Sequence, residues 1–525
     1  MHPTFKEACC ARGLLQDDRE WLLCLQEGAH FQTGFQLHRM FAIIVANCQP
    51  GDVNAIWEAC KNDLCDDLQC HLINNHCIPE PTQEQIHDYG LYLIHDNLWR
   101  LNWRPERHPD MPRPQFDWGR QEGNQLIAEQ CALNQPGLQD FVERGLGTLN
   151  AEQRSLYQAV LDSVEQAQGG LYFCHSGGGC GKTYLSKIIA AAVRMRDRIV
   201  LCVASTGLAS LLLPGGRTAH SRFKIPIPIN ALSTCNIKKD DIHHQLLQQT
   251  SLILWDEVGS QHHHVVECVN HSLKDLMGRD QLFGGITTLF GGDFRQTLPV
   301  IPHGSREQIV SAALSHSNLW REMRIHYLHQ NMCLGQDPEC DLWTQRLLEI
   351  GITDGEVELP QYMHCGNNIE SLITSIYGDL LDPHHNEELP DPYFLNRTIL
   401  TPRNVEVHEL NSTILSRVSG DKRVCLSVDS VDEREYEYSP MKVLNSLDPS
   451  GFPLHTLEVK DGAPLMLLRN LDPIHGLYNG TRLRLLRSTR RVLECHVLNE
   501  NGNNDIVLIP RITLSVNEDE YPIPL

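Results

Sequence analysis

Between residues 1 and 80 apolar positions recur at helical spacing, most clearly around Trp21–Leu25 and Leu37–Val45, which predicts a helical N-terminal region. A Pro-rich polar stretch, Arg104–Pro114 (RPERHPDMPRP), interrupts this pattern and reads as a linker. From about Asn150 short apolar runs alternate with amphipathic helical stretches. The runs are Gly170–Cys174 (GLYFC), Ile199–Ala204 (IVLCVA), Ser251–Trp255 (SLILW) and Ile286–Phe290 (ITTLF). Strands apolar on both faces and separated by helices indicate a parallel sheet covered on each side. A second such unit is expected to begin at Thr398–Thr401 (TILT), followed by a helix through Val405–Leu415. After Ala463 short strands and Gly/Asn turns predict a small β-barrel or sandwich. The longest apolar stretches, such as Ile188–Val193 and Leu208–Leu213, fall well short of the ~20 residues a membrane span needs, so no membrane partner is expected.

Composition changes this picture only in places. Hydrophobic residues make up 41% and charged residues 21%, as in ordinary globular proteins, and 525 residues are too many for one core. The start, MHPTFKEACC, has neither the basic head nor the apolar centre of a secretory signal, so an intracellular location is expected. The 19 cysteines are odd in number and scattered, which suits free thiols in a reducing compartment. Cys60, Cys65 and Cys70, followed by His71, His76 and Cys77, do not form the two tight pairs of a zinc site. They read instead as small buried residues on a helical segment. The net charge of −22 does not suggest nucleic acid, but phosphate binding needs only a local basic surface. Arg194–Arg198, Lys238–Lys239 and Arg487–Arg491 are basic clusters of that kind.

Chemistry enters at Ser176–Thr183 (SGGGCGKT), set between the strand GLYFC and the helical TYLSKIIAAAVR. Backbone N–H groups of a glycine-rich turn, with the helix N-terminus behind it, can surround nucleotide phosphates. Gly177, Gly178, Gly179, Cys180, Gly181, Lys182, Thr183 and the adjoining Tyr184 are therefore candidate nucleotide contacts. Lys182 reaches the β- and γ-phosphates and Thr183 ligates Mg²⁺. Ser176 stands where the full pattern has glycine, a departure that the three following glycines offset. The apolar run Leu252–Trp255 ends in Asp256 and Glu257, placed to hold Mg²⁺ and to orient or deprotonate an attacking water. Thr183 and Asp256 are the candidate metal ligands. The two motifs together mean nucleotide binding. His262, His263 and His264 follow, and because adjacent residues point in different directions they are expected to chelate poorly.

Two further stretches narrow the choice: Phe283–Ile301 (FGGITTLFGGDFRQTLPVI) and Ile199–Pro226 (IVLCVASTGLASLLLPGGRTAHSRFKIP). Both resemble the petite-integration-frequency family of superfamily-1 DNA helicases, in the branch encoded by Helitron transposons. The resemblance extends to WLLCLQEGAHFQTGFQLHRMFA near the start and to ILTPRN and GAPLMLLRNLDPIHGLYNGTRL late in the chain. It implies that Gln153, in LNAEQ, reads the adenine edge, and that Lys182, Thr183, Asp256 and Glu257 are the two Walker pairs. It also implies that Gln296 couples the γ-phosphate to DNA. Ser205, Thr206, Thr218 and His220 match positions that touch single-stranded DNA, with Phe223 as a stacking neighbour.

The implied protein is an ATP- and Mg²⁺-dependent 5′-to-3′ helicase acting on single-stranded and forked duplex DNA. Its settings are repair, recombination, telomere maintenance or transposon replication. Its location is nuclear, with the mitochondrion as the alternative. The expected fold is α/β: a P-loop NTPase with two RecA-like motor lobes, the second incomplete, a helical N-terminal region and a small β-barrel-like insertion. The expected boundaries are 1–103 for the helical region, 104–140 for the linker, 141–330 for the first lobe, 331–462 for the start of the second, and 463–525 for the β insertion.

The sequence also departs from the family. Cys333, in NMCL, stands where an arginine reaching the γ-phosphate is usual, and a thiol cannot replace a fixed positive fork. Val258, Gly259 and Ser260 replace the usual Ala-Pro-Met. The chain ends at Leu525, before two further motifs of the family, which reads as a truncated gene or a decaying transposon copy. A second reading is thus a protein that binds ATP and DNA with little hydrolysis. A P-loop small-molecule kinase leaves GGDFRQ without a role. Nothing in the sequence fixes the oligomeric state.

Overall fold

The computed structural model describes residues 18–32, 34–48, 50–75, 78, 80–101, 103, 110–116, 118, 124–134, 137–301, 304–332, 342, 346, 349–350, 358, 360–378, 390–401, 403–418, 420–429, 445–446, 452–472, 475–498 and 505–514. The chain divides into two compact units, one of residues 1–120 with 359–525 and one of residues 121–358.

The first unit opens with helices α1 (Arg19–Ala29), α2 (Gly34–Cys48), α3 (Val53–Leu64), α4 (Leu68–Asn75) and α5 (Gln83–Arg100). Leu37, Met40, Phe41, Ala42, Ile43, Ile44, Val45 and Cys48 of α2 are all buried. A helix apolar on nearly every side has to be surrounded, and Trp21, Trp57, Leu64 and Leu98 close over it. Side chains set where the neighbouring helices begin: Asp52 accepts the Ala55 N–H, and Thr82 and Gln85 form a capping box. Cys60 and Cys65 are core residues, the Cys60 thiol donating to the Ile56 carbonyl at 2.8 Å. His76 and Cys77 lie outside the described residues. So do residues 104–109 of the Pro-rich stretch, but its continuation is anchored: buried Asp88 accepts from the N–H groups of Gln115 and Phe116 and from Trp118 Nε1.

The second unit begins with α6 (Gln125–Cys131), α7 (Leu138–Thr148) and α8 (Ala151–Glu165). The first two overlap the expected linker. They are ordered because they bury apolar residues: Gly145 of α7 sits so close to Ile188 that a Cβ there would lie 2.7 Å from Ile188 Cδ1. Six strands follow, β1 (Leu171–Ser176), β2 (Ile199–Ala204), β3 (Arg217–Thr218), β4 (Thr250–Asp256), β5 (Thr287–Gly292) and β6 (Arg324–Leu328). They form one sheet of order β3-β2-β4-β5-β1-β6 with every ladder parallel. The four apolar runs are β1, β2, β4 and β5, buried because helices cover the sheet. Those helices include α9 (Lys182–Arg194), α10 (Gly207–Leu211), α11 (Ala219–Phe223), α12 (Ile242–Gln249) and α13 (His263–Met277). Since β5 lies between β1 and β4, the ends of these three strands are neighbours.

The first unit is completed by the later chain. Residues Thr398–Thr401 do not form the expected strand, and Leu400 is 87% exposed. An apolar run is a buried strand only where partner strands flank it, and among the described residues there is no second parallel sheet. The helix expected after it is present as Asn404–Arg417. Strands β7 (Lys422–Leu426) and β8 (Thr456–Lys460) form an antiparallel ribbon. β9 (Pro464–Met466), β10 (Arg482–Ser488), β11 (Val492–Val497) and β12 (Ile506–Pro510) form a four-stranded antiparallel sheet. Among the described residues no pairing closes these strands into the expected barrel. β12 packs against α2 instead, and Val492 and Leu508 join the core around Trp21 and Trp57. No described helix is long and apolar enough to cross a membrane.

Candidate functional site

Strand β1 ends at Ser176 and α9 begins at Lys182, so Gly177–Gly181 form the turn between them. Gly179 and Gly181 adopt φ of +81° and +76°, which side chains disfavour. A Cβ on Gly179 would also lie 2.5 Å from Asn331 Oδ1, and one on Gly181 2.8 Å from Gln153 Nε2. Gln153 fixes the loop from behind. Its Nε2 donates to the Cys180 carbonyl at 3.1 Å, and its Oε1 accepts the Asn150 N–H at 3.1 Å in the capping box that starts α8. Its side chain is 1% exposed and supports the loop. Tyr184 is partly exposed, its hydroxyl 3.1 Å from Thr148 Oγ1.

Strand β4 delivers Asp256 as its last residue, with Glu257 next in a left-handed conformation (φ 51°) that a non-glycine residue adopts at some cost. Lys182 reaches across β5 to both, with Nζ 3.0 Å from Glu257 Oε1 and 3.6 Å from Asp256 Oδ1. Its path depends on Gly291, where a Cβ would lie 2.9 Å from Asp256 Oδ1 and 3.1 Å from Lys182 Cδ. The Lys182 side chain is 10% exposed. Burial alone would lower its pKa, but the carboxylates of Asp256 and Glu257 outweigh burial and hold it above the ordinary lysine value. Thr183 Oγ1 donates to Asp256 Oδ2 at 3.3 Å, which sets a hydroxyl and a carboxylate oxygen side by side. Hard oxygen donors of this kind suit Mg²⁺.

Beyond β5, buried Asp293 accepts from Arg295 Nε at 3.0 Å and from Gln296 Nε2 at 3.4 Å. Burial pushes the Asp293 carboxyl up, and the hydrogen bonds from Arg295 more than reverse this. Gln296 is exposed at the mouth of the site. Arg295 lies over the loop, since a Cβ on Gly177 would come within 3.1 Å of its terminal nitrogen. Arg295, Asn331 and Met332, whose N–H donates to the Gly179 carbonyl at 2.7 Å, are site residues that sequence reasoning missed. The motif GGDFRQ contains the arginine, but only the strand order shows that it borders Gly177. Cys333 lies outside the described residues.

The candidate DNA residues gather at the β2 and β3 ends of the same sheet. Thr206 and Thr218 spend their hydroxyls on helix caps, accepting from the Ala209 and Ser221 N–H groups. Ser205 Oγ is shielded and makes no hydrogen bond. His220 is half-buried, and burial lowers its pKa. Phe223 corrects the expectation of a stacking platform: it is 1% exposed and stacks on Trp255 with ring centroids 5.6 Å apart. A ring enclosed by the sheet cannot also face a base. The histidines of α13 also depart from expectation, with one ring nitrogen from each of His262, His263 and His264 within 4.8 Å of the others.

A parallel sheet whose strand runs through a glycine-rich turn into Lys-Thr, facing an Asp-Glu strand end, defines a P-loop nucleotide-binding protein. A family model described as PIF1-like helicase matches residues 148–354, and one described as DNA helicase Pif1, 2B domain, matches residues 442–487. Over these stretches the chain is similar to the PIF1-like helicase family. It is 26% identical over 321 residues to the ATP-dependent DNA helicase Pif1 of Psychrobacter sp. (strain PRwf-1), covering 60% of this chain and 44% of that protein. It is 26% identical over 368 residues to the ATP-dependent DNA helicase PIF1 of Xenopus laevis, covering 69% and 50%. Over 188 residues it is 30% identical to the ATP-dependent DNA helicase PIF4 of Trypanosoma brucei brucei, covering 35% and 21%. The chain thus spans half the length of these relatives or less. Among solved structures, Pif1 from Bacteroides in complex with ADP-AlF3 and ssDNA aligns with a TM-score of 0.46 and 20% identity, covering 70% of this chain and 75% of that one. Pif1 from Candida albicans aligns with a TM-score of 0.45 and 21% identity, covering 72% and 82%.

Proposed function

We propose that the chain is the motor portion of a DNA helicase, coupling ATP hydrolysis to 5′-to-3′ movement on single-stranded DNA and to unwinding of forked duplexes. The observation that carries this is the convergence of Lys182, Thr183, Asp256 and Glu257 beside GGDFRQ, in a chain whose relatives are named ATP-dependent DNA helicases. In this reading the N–H groups of Gly177–Thr183 surround the phosphates. Lys182 exchanges Glu257 for a phosphate oxygen, and Glu257, so released, orients or deprotonates the attacking water. Thr183 and Asp256 would hold Mg²⁺, which supplies positive charge against the phosphates. Gln296 senses the γ-phosphate, with Gln153 and Tyr184 bordering the nucleotide. Ser205, Thr206, Thr218 and His220 form the DNA side.

The reading includes the Helitron-encoded branch, supported by GGDFRQTLPVI. It also includes a nuclear role in repair, recombination, telomere maintenance or transposon replication, with the mitochondrion as the alternative site. Steady-state ATP turnover with and without single-stranded DNA, together with unwinding of forks carrying a 5′ or a 3′ tail, tests the activity. DNA-stimulated turnover abolished by Glu257→Gln, with unwinding only of the 5′-tailed fork, is expected. Nucleotide and DNA binding with no turnover would establish the non-hydrolysing reading in its place. An arginine finger is worth ~10³–10⁵ in rate, so Cys333→Arg should raise turnover; an unchanged rate contradicts the role given to that position.

A further inference from the structure

Three histidines open α13 and take no part in the site described above. His262 is the N-cap in an extended conformation (ψ 136°), and His263 and His264 begin the first turn. The bend between cap and helix folds the rings together: their centroids lie 4.2–4.8 Å apart. One nitrogen from each lies within 4.8 Å of the others, and all three residues are half-buried. Glu267, one turn on, accepts from His264 Nδ1 at 3.1 Å through Oε2, and its Oε1 lies 3.1 Å from His263 Nδ1. Ser317 Oγ donates to Glu267 Oε1 at 2.6 Å, and the His263 N–H donates to the Ala312 carbonyl at 2.9 Å, so the cluster is braced from two other segments. His263 Nδ1 is shielded from solvent and lies against the Glu267 carboxylate.

We propose that His262, His263 and His264 bind a divalent cation of the imidazole-preferring class, with zinc the principal occupant and Glu267 or a water completing a four-coordinate shell. Imidazole donors suit zinc and cobalt over magnesium or calcium. Binding draws the ring nitrogens inward to ~2.0–2.1 Å from the metal, within reach of small side-chain rotations. It also displaces one existing bond, from the His264 N–H to His262 Nδ1 at 3.1 Å. Glu267 orients His264 and balances the cation's charge, as carboxylates behind metal-bound histidines do. Only the turn Val258–Gln261 separates His262 from Glu257, so the metal braces the chain directly after the Asp-Glu pair. The inference stands on this cluster alone and does not depend on helicase activity.

The test uses the full chain, stripped with chelator and titrated with Zn²⁺ by calorimetry and with Co²⁺ by visible absorption. Its variants are Glu267→Gln, His263→Gln and the double His263→Gln/His264→Gln. One equivalent per chain with tetrahedral Co²⁺ bands is expected, absent in the double variant and weakened about 10–100-fold by Glu267→Gln. The glutamate variant distinguishes a built site from a bare run of histidines, which would bind equally well with either residue at 267. Circular dichroism verifies that each variant is folded, and the single His263→Gln carries the same expected loss where the double variant does not fold. Absence of stoichiometric binding, or affinity that neither Glu267→Gln nor His263→Gln changes, overturns the proposal.

Discussion

Lys182 and Arg39 are both largely buried cations paired with carboxylates, one in each unit of the chain. Lys182 lies between Asp256 and Glu257, and the function proposed above gives each partner a second use once a nucleotide binds. Arg39 lies 2.6 Å from Asp472, whose side chain is 3% exposed and also accepts from His475 Nδ1 at 2.7 Å. That pair joins α2 to a loop 433 positions later in the chain. Arg491 does the same from the turn between β10 and β11, pairing with Glu20 at 3.0 Å and Glu27 at 2.8 Å. The nucleotide unit holds its buried charge in an exchangeable arrangement built from consecutive segments. The other unit uses buried charge to close its two ends on each other.

The sharpest way to break this comparison is Arg39→Ala, which leaves buried Asp472 with His475 but without the guanidinium. Removing one partner of a buried pair costs about 3–5 kcal/mol, and chemical denaturation should show that loss with Mg-ADP affinity unchanged. A loss below about 1 kcal/mol, as for a surface pair, would remove the closing role.

Acid should act on the same unit next. Burial holds the His38 imidazole down to about 4, below the ~6.5 of an unfolded chain. As pH falls the unfolded state takes up the proton first, so stability is complete above about pH 6.5 and is lost progressively toward pH 4. About 3 kcal/mol is involved, since each tenfold change in proton affinity corresponds to ~1.4 kcal/mol. Burial raises the Asp472 carboxyl, but His475 and Arg39 more than reverse this, so its contribution is lost only below the ordinary carboxylate range of about 4. The two windows therefore separate. Denaturation of His38→Gln between pH 7 and 4 should show a flatter profile than the parent; parallel profiles contradict the assignment.

In the nucleotide unit, Gln153→Ala strips partners from the Cys180 carbonyl and the Asn150 N–H, at about 1–3 kcal/mol. If Gln153 holds the loop, affinity for ADP and for inorganic pyrophosphate falls together. Weakening of ADP alone would return Gln153 to the adenine edge. The smallest effect is expected from Phe223→Leu: under about 1.5 kcal/mol of stability and no change in single-stranded DNA affinity. A stacked base would instead lose about 1–3 kcal/mol of binding energy in the same titration.

These contrasts also explain what could be read in advance. β2 is Ile199–Ala204, the apolar run itself, because a central parallel strand is buried on both faces. Lys182, Thr183, Asp256 and Glu257 were legible because the turn and strand end that present them are local in sequence. The aromatic at 223 was not, since the sequence does not say that Trp255 lies across from it. The β strands after residue 463 were visible, but not their packing on α2, because nothing local marks a partner more than 400 positions away. Thr398–Thr401 differ for the opposite reason: the run has strand character, but among the described residues no strand pairs with it. Adjacent positions on a helix predict diverging histidines at the start of α13, whereas His262 lies outside the helix as its N-cap, in an extended conformation.

The central claim is that Lys182 changes partners when nucleotide binds, and calorimetric titration of Mg-ADP into the parent chain and Lys182→Ala tests it most directly. Loss of a charge-assisted hydrogen bond worth about 1.5–3 kcal/mol predicts binding about 10–100-fold weaker in a variant whose circular dichroism is unchanged. Equal affinity in the two folded proteins would contradict the account.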